Sequence, residues 1–303
     1  MQRSPCRGKL RGRAVAHRAR WYSCSRTQPL ACVPREQNAS SKNLRGVRAD
    51  AMPKHVYDGW CDFKAKDISN GRRLHVLAER DGARLKARGR IVETVLSHYE
   101  DPRHLADRVN RLGFRKAAKI LVELLPKTKK ARSGHVGEIL ATEAVPAILP
   151  EFEIPIKRLR WLDGRESALR GEDVIGIALE QKRVRFLKGE SKSRAALSPN
   201  VVAEARKALR ANEGRPSQHA MGFVMHRLLE TGRKDLALIF EDHLLLKTIA
   251  DEDLVHLLFG LSGNDASAAL KADLEAYSGK IEQHSVNFRI EDHQDFIASV
   301  YKK

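Results

Sequence analysis

The chain is 303 residues long, with 56 Lys and Arg against 38 Asp and Glu and a formal charge of +18. That length holds one large domain or two small ones with ample core. No apolar run approaches the roughly 18–20 residues that a membrane-spanning helix needs, which excludes that class and leaves a soluble, cytoplasmic protein as the expectation. The charge is uneven. Residues 1–51 hold 12 Lys and Arg and two acids, Glu36 and Asp50, for a net +10; the remaining 44 basic and 36 acidic residues give +8. An excess of that size is compatible with a polyanionic partner without being diagnostic of one.

Residues 1–51 are rich in Arg, Ser, Gln and Pro and have no helical or strand period, so disorder is the default expectation. Three readings stand. Translation begins at Met52 and the upstream residues are not made; or the segment is a basic tail adding sequence-independent affinity for nucleic acid; or it is an organellar transit peptide. Cys6, Cys24 and Cys32 lie here and only Cys61 lies beyond. Their spacing fits neither a zinc site nor a disulfide framework, consistent with a reducing compartment.

From residue 52 to about 130 the sequence reads as an accessory region, mixed at first and then helical. A helix is expected over 84–99, with Val92, Val95 and Leu96 on one face. A second covers 104–112 and is stopped by Gly113. A third covers 114–125, with Ala118, Leu121, Val122 and Leu125 at helical spacing. Pro126 to Gly134 reads as a basic linker.

Residues 131–303 read as a second domain. A helix over 133–148 turns Val136, Ile139, Leu140 and the neighbourhood of Glu143 inward. Alternation from Ile154 to Trp161 predicts a strand. Two further strands, 172–179 and 184–192, are joined by a polar turn as an antiparallel hairpin. Ser198-Pro199 opens a helix that ends before Gly214. Two helices, 218–229 and 236–246, precede a strand over 253–261; a further strand is expected over 281–290 and a short helix over 296–301. The order of helix, strands and helix predicts an α/β fold, a mixed sheet flanked by helices.

The motif that carries chemistry is Gly189-Glu190-Ser191-Lys192, read with Asp173 upstream and Glu138 before that. Residues i and i+2 of a strand share a face, so Glu190 and Lys192 point together, and the hairpin brings Asp173 beside them. An Asp followed by Glu-x-Lys on the next strand is the minimum kit of a PD-(D/E)xK metal-dependent phosphodiesterase. Hard oxygen ligands suit Mg²⁺ or Mn²⁺ rather than zinc. Asp173 and Glu190 are the expected ligands, with the Ser191 carbonyl as a possible addition, and Glu138 completes the site directly or through water. Lys192 orients the attacking water or stabilises charge in the transition state. A Glu-x-Lys triplet alone is weak, since a salt bridge on an edge strand has the same signature. Here the acids end strands that are otherwise apolar, where an unpaired carboxylate is costly, and Gly171 and Gly189 leave room for close approach.

Gly134-x-x-Gly137-Glu138, Gly171-x-Asp173-Val174-Ile175-Gly176 and Leu187-x-Gly189-Glu190-Ser191-Lys192-Ser193 occur in that order, and together they resemble the HamA family, the nuclease subunit of the Hachiman antiphage defence system within the PD-(D/E)xK superfamily. The resemblance covers residues 133–209 and extends plausibly over 52–303. It implies a restriction-endonuclease-like core, a DNA nuclease controlled by and targeted through a superfamily 2 helicase partner, HamB, and a catalytic set of Glu138, Asp173, Glu190 and Lys192. One departure is that Glu172, rather than proline, precedes Asp173.

Lys157, Arg158, Arg160, Lys182, Arg183, Arg185, Lys188 and Arg194 form two basic clusters around the motif strands, readable either as DNA phosphate contacts or as a solvated face. No aromatic residues interleave them, so stacking on single-stranded bases is not indicated. His219, His226, His243, His256, His284 and His293 offer a rival metal site; His219 and His226 are seven apart on one helical face, but no two of the six are spaced i, i+4 with a glutamate between them. The acidic residues Asp251, Glu252, Asp253, Glu291, Asp292 and Asp295 read as a partner-facing surface or as ordinary solvated structure. Two rival functions remain alongside the nuclease: a non-catalytic, DNA-binding or helicase-regulating subunit with a nuclease-like fold, and a restriction or repair nuclease that works alone.

Overall fold

A hairpin not anticipated from the sequence begins the structure, a computed structural model that describes residues 55–302 apart from Asn70, Ala168 and Lys182. Residues 1–51, with their three competing readings and three cysteines, lie outside the described residues. Strands β1 (Cys61–Ser69) and β2 (Arg72–Glu79) pair antiparallel from Cys61↔Glu79 to Ser69↔Arg72. Most of β1 is exposed on both faces, although Cys61, Phe63 and Ala65 alternate with Asp62, Lys64 and Lys66 at the period of a strand. Four helices follow: α1 (Ala83–Ser97), α2 (Pro102–Leu112), α3 (Phe114–Leu124) and α4 (Lys129–Ile148). Then come β3 (Val174–Glu180), β4 (Arg183–Arg194), α5 (Pro199–Arg210), α6 (Gln218–Glu230), α7 (Lys234–Leu245), β5 (Leu254–Ser262), α8 (Ser267–Ala276), β6 (Glu282–Arg289) and α9 (His293–Val300).

The strands form one mixed sheet of six in the order β1-β2-β6-β5-β4-β3, parallel in the middle and antiparallel at both edges. The α/β class and the mixed sheet flanked by helices are as expected. The expected boundary near residue 130 is not reflected in the sheet: β2 pairs in parallel with β6, so the accessory region supplies two of the six strands. Residues 51–303 form one compact unit.

Alternation along the central strands sends two sets of side chains to two helical layers. On one face Leu187, Val255, Leu257, Phe259, Leu261, Val286 and Phe288 pack with Ile91 and Val95 of α1, Val136, Ile139 and Leu140 of α4, and Phe296 and Ile297 of α9. On the other, Phe186 and Leu254 pack with Met221, Val224 and Leu228 of α6 and Phe240 of α7, while Leu258 meets Val202 and Leu209 of α5 and Leu270 and Leu274 of α8. The inward stripe of α1 is Ala83, Ala87, Ile91 and Val95, shifted from the expected Val92, Val95 and Leu96. Among the described residues no helix is long and apolar enough to cross a membrane.

Two local expectations need correction. Residues 126–134 are not a linker: Thr128 accepts from the Ala131 amide as an N-cap, and α4 begins at Lys129. Residues 154–161 are not a strand. Only Glu153 bridges to Ile177, and Arg158–Trp161 is a 3-10 turn. The basic residues of that alternation are drawn into internal bonds: Arg158 is buried, and Arg160 donates to the Ser97 carbonyl at 2.9 and 3.0 Å.

What positions the site is the closeness of α4 to β4. A Cβ on Gly137 would lie 2.9 Å from both Ser191 Oγ and Ser193 Cβ, so only glycine lets the helix sit this low on the strand. A Cβ on Gly134, one turn earlier, would meet nothing within 4 Å. Gly137→Ala is therefore expected to lower stability by about 1–3 kcal/mol through overpacking. Gly134→Ala is expected to raise it by up to about 1 kcal/mol through helix propensity. Urea unfolding of the two variants reads both signs.

Candidate functional site

The site exists because β4 outruns its partner. Strand β3 has 7 residues and β4 has 12, and their last pair is Val174↔Gly189. From Glu190 to Arg194, β4 pairs with β5 on one side and has no β3 residue on the other. A strand edge left this way exposes main-chain donors and acceptors that must find other partners. The Ser191 amide finds Asp173, whose Oδ2 accepts at 2.8 Å, so the carboxylate replaces the missing rung. Ser133 of α4 donates to the Ser193 carbonyl at 3.3 Å and meets Ser193 Oγ at 2.9 Å.

At this open edge the named residues converge from different layers. Glu190 and Lys192, two apart on one face of β4, form an ion pair of 2.6 Å. Glu138 comes from α4 on the opposite layer. Its carboxylate stands 3.5 Å from Arg158 Nη1 and is mostly enclosed. Burial pushes its proton affinity well above the usual carboxylate range, and the neighbouring charges of Asp173 and Glu190 push it further, against the pull of Arg158. Asp173 is raised for the same reasons, burial first and then Glu190; the Ser191 N–H, Arg158 and Lys192 oppose the shift. The mutual effects mean that Glu138, Asp173 and Glu190 share one electrostatic site.

Two buried cations hold the frame. Arg158, readable from the sequence as a phosphate contact or as part of a solvated face, donates to the carbonyls of Glu172 and, at 3.0 Å, Arg170, thereby fixing the turn that delivers Asp173. Glu172, standing where a proline was expected, has both oxygens engaged at the start of α6: the Ser217 amide donates at 2.8 Å and Ser217 Oγ at 2.9 Å. Lys188 donates to the carbonyls of Ala211 and Arg215 at 2.8 and 2.9 Å and stands 3.5 Å from Glu172. Sequence reasoning missed these framework roles. The one available signal was Lys188, which directly follows the apolar Phe186-Leu187; Arg158, between Lys157 and Arg160, carried none.

The other basic candidates are also largely engaged inside the protein. Lys157 pairs with Glu143 at 2.9 Å, Arg160 with Asp101 at 2.9 Å, Arg183 with Asp253 at 2.5 Å, and Arg185 with Glu282. Lys182 lies outside the described residues. Arg194 is exposed and bonds only the carbonyl of Ser193. The histidine alternative does not assemble: His256 bonds the Gly214 carbonyl, His293 meets Ser193 Oγ, and His284 stacks on His75.

The donor set is all oxygen and suits a hard divalent cation in kind. In the geometry present, no three His, Cys, Asp or Glu side chains among the described residues stand at metal-holding spacing. Asp173 is turned to the Ser191 amide and Glu190 to Lys192. A cation held by Glu138, Asp173 and Glu190 requires Glu190 to leave Lys192.

Fold and site together define an α/β protein whose clustered carboxylates and lysine gather at the uncovered edge of a mixed sheet. A family model described as HamA matches residues 54–303, while no curated protein matches the chain. The chain belongs to the HamA family, which is part of the Hachiman antiphage defence system.

Because Glu138 and Asp173 hold protons more tightly when folded, their contribution to stability is present below about pH 4 and is lost as pH rises toward neutrality. Glu138→Gln is expected to raise the thermal midpoint in EDTA at neutral pH and to leave it unchanged near pH 4. A parent protein that is the more stable at neutral pH would contradict this assignment.

Proposed function

We propose that this chain is a metal-dependent DNA nuclease of the PD-(D/E)xK type, acting in antiphage defence in the cytoplasm under the control of a superfamily 2 helicase partner of the HamB kind. The observation that carries the reading is the convergence, at the one stretch of β4 that β3 leaves uncovered, of two proton-hungry carboxylates with the Glu190–Lys192 pair.

Repulsion among Glu138, Asp173 and Glu190 is a cost that a divalent cation relieves, so the same environment that raises their proton affinity favours Mg²⁺ or Mn²⁺. When bound, the metal supplies charge neutralisation at the phosphoryl oxygens and an activated water. The chain's own residues do the rest. Asp173, anchored through Oδ2 on the Ser191 amide, has its second oxygen left to serve a cation. Lys192, once Glu190 turns away, is an ammonium next to the position where negative charge builds up as water adds to phosphorus and the P–O bond breaks. Arg158 fixes the backbone on which Asp173 is carried.

A second reading has two observations in its favour. The Glu190–Lys192 contact at 2.6 Å and the absence of a three-ligand set among the described residues suit a non-catalytic subunit that retains the fold and regulates its helicase partner. A nuclease working alone has no such support.

The test is cleavage of plasmid and linear DNA by the full chain, with Mg²⁺, Mn²⁺ or EDTA, with and without the helicase partner, beside Glu190→Ala and Lys192→Ala. The expected result is metal-dependent cutting that falls by at least about 100-fold in both variants. Cutting that survives both substitutions would remove this site from the chemistry. Absence of cutting with the partner present would favour the regulatory reading.

A further inference from the structure

Gly134 is a helical residue that nothing in the packing explains. Gly137 is needed for contact with β4, but a Cβ on Gly134 would stand in open space, and glycine inside a helix costs about 1 kcal/mol relative to alanine. Residues 130, 134 and 138 are spaced i, i+4, i+8 and form a single ridge along α4. Lys130 stands at one end of that ridge and Glu138 at the other, eight residues or roughly 12 Å apart, with the bare Gly134 between them. The ridge is therefore bare at its middle, with a lysine at one end and a carboxylate of the acidic cluster at the other.

The surroundings of the Lys130 end are basic on both sides. Glu166 accepts from the amides of Lys127 and Thr128 at 2.6 and 3.2 Å and from Thr128 Oγ1 at 2.6 Å, which docks Arg165 against the start of α4. Those bonds occupy the Glu166 carboxylate. The same loop continues to Arg170, whose carbonyl Arg158 holds three residues before Asp173. Across the helix, the bond from Ser133 to the Ser193 carbonyl brings Arg194 alongside, and Lys129 shares its face with Ser133, four residues on. Lys129, Lys130, Arg165, Arg170 and Arg194 make no ion pair with any described residue, in contrast to the basic residues elsewhere around the motif strands.

We infer that these five residues and the bare ridge at Gly134 are the track along which a nucleic-acid phosphate backbone enters the site. Unpaired Lys and Arg at an exposed surface bind polyanions by releasing counterions. A glycine at this point lets the sugar–phosphate chain lie directly on the helix backbone. The inference rests on the proposed nuclease reading for the direction of the track, toward Glu138, but its test does not depend on cleavage.

The experiment measures binding of the full chain to a fluorescent duplex oligonucleotide by anisotropy across a salt series, in a Lys192→Ala background with EDTA so that nothing is cut. The track variant replaces Lys129, Lys130, Arg170 and Arg194 by Ala. A control of equal charge replaces Lys64, Lys66, Lys86 and Arg88, exposed residues of β1 and α1. The slope of log affinity against log salt is expected to fall by about 3–4 in the track variant, at roughly 0.9 for each phosphate that is no longer neutralised, and by less than about 1 in the control. Gly134→Leu is expected to weaken binding while its thermal midpoint stays at or above that of the parent, which separates obstruction from misfolding. Equal losses of affinity in track and control variants, or no duplex binding by the parent at about 50 mM salt, would overturn the inference. Cleavage without a track effect would refute the track alone. A track effect without any cleavage would leave the track standing and refute the nuclease.

Discussion

Everything at the candidate site depends on the five residues by which β4 continues past β3. An ordinary hairpin would satisfy the β4 backbone along its whole length and leave no room for a helix carboxylate to approach from the other layer. Here the edge is uncovered, and a side-chain carboxylate takes over one backbone hydrogen bond. Asp173 is thus a structural rung and a member of the carboxylate cluster at once. The uncovered edge also explains how residues on opposite faces of the sheet share one electrostatic site: Glu190 and Lys192 project from one face, while α4 brings Glu138 over the other.

The second constraint is how the site's charges are held. Glu172, Lys188 and Arg158 are almost fully buried, and each has its polar atoms engaged by main chain or by another of the group. Buried ion pairs are weak contributors to net stability but costly to break, because removal of one partner strands the other. Such a framework restricts the turn at 170–172 to one arrangement, and that turn decides where Asp173 points. Several residues that look from composition like a DNA-binding surface therefore serve the interior, whereas Lys129, Lys130, Arg165, Arg170 and Arg194, near the start of α4, make no ion pair with any described residue.

Much of the fold was legible because its central elements follow simple periods. Strands β3, β4, β5 and β6 and helices α1 to α7 fall close to the segments that apolar spacing, Gly113 and Ser198-Pro199 indicate. Misses occurred where the local pattern and tertiary demand diverge. Strand β1 alternates only briefly, with Cys61, Phe63 and Ala65 between polar residues, and is exposed on both faces, while residues 154–161 alternate but are pulled into a turn because Arg158 is needed inside. Helix α8, with small residues in its first turn, was not anticipated, and no boundary at residue 130 divides the sheet.

The sequence by itself determined which chemistry is present: an aspartate and a Glu-x-Lys at the ends of two apolar strands, with an upstream glutamate on a helix. Residue type and two-residue spacing decide that much, since a strand's geometry places i and i+2 together wherever it lies. Only the tertiary structure decided that these groups meet. The meeting requires β4 to run beyond β3 and α4 to descend onto it at Gly137, and both depend on packing between residues far apart in the chain. The same holds for the basic residues, whose availability depends on which acids the fold brings beside them.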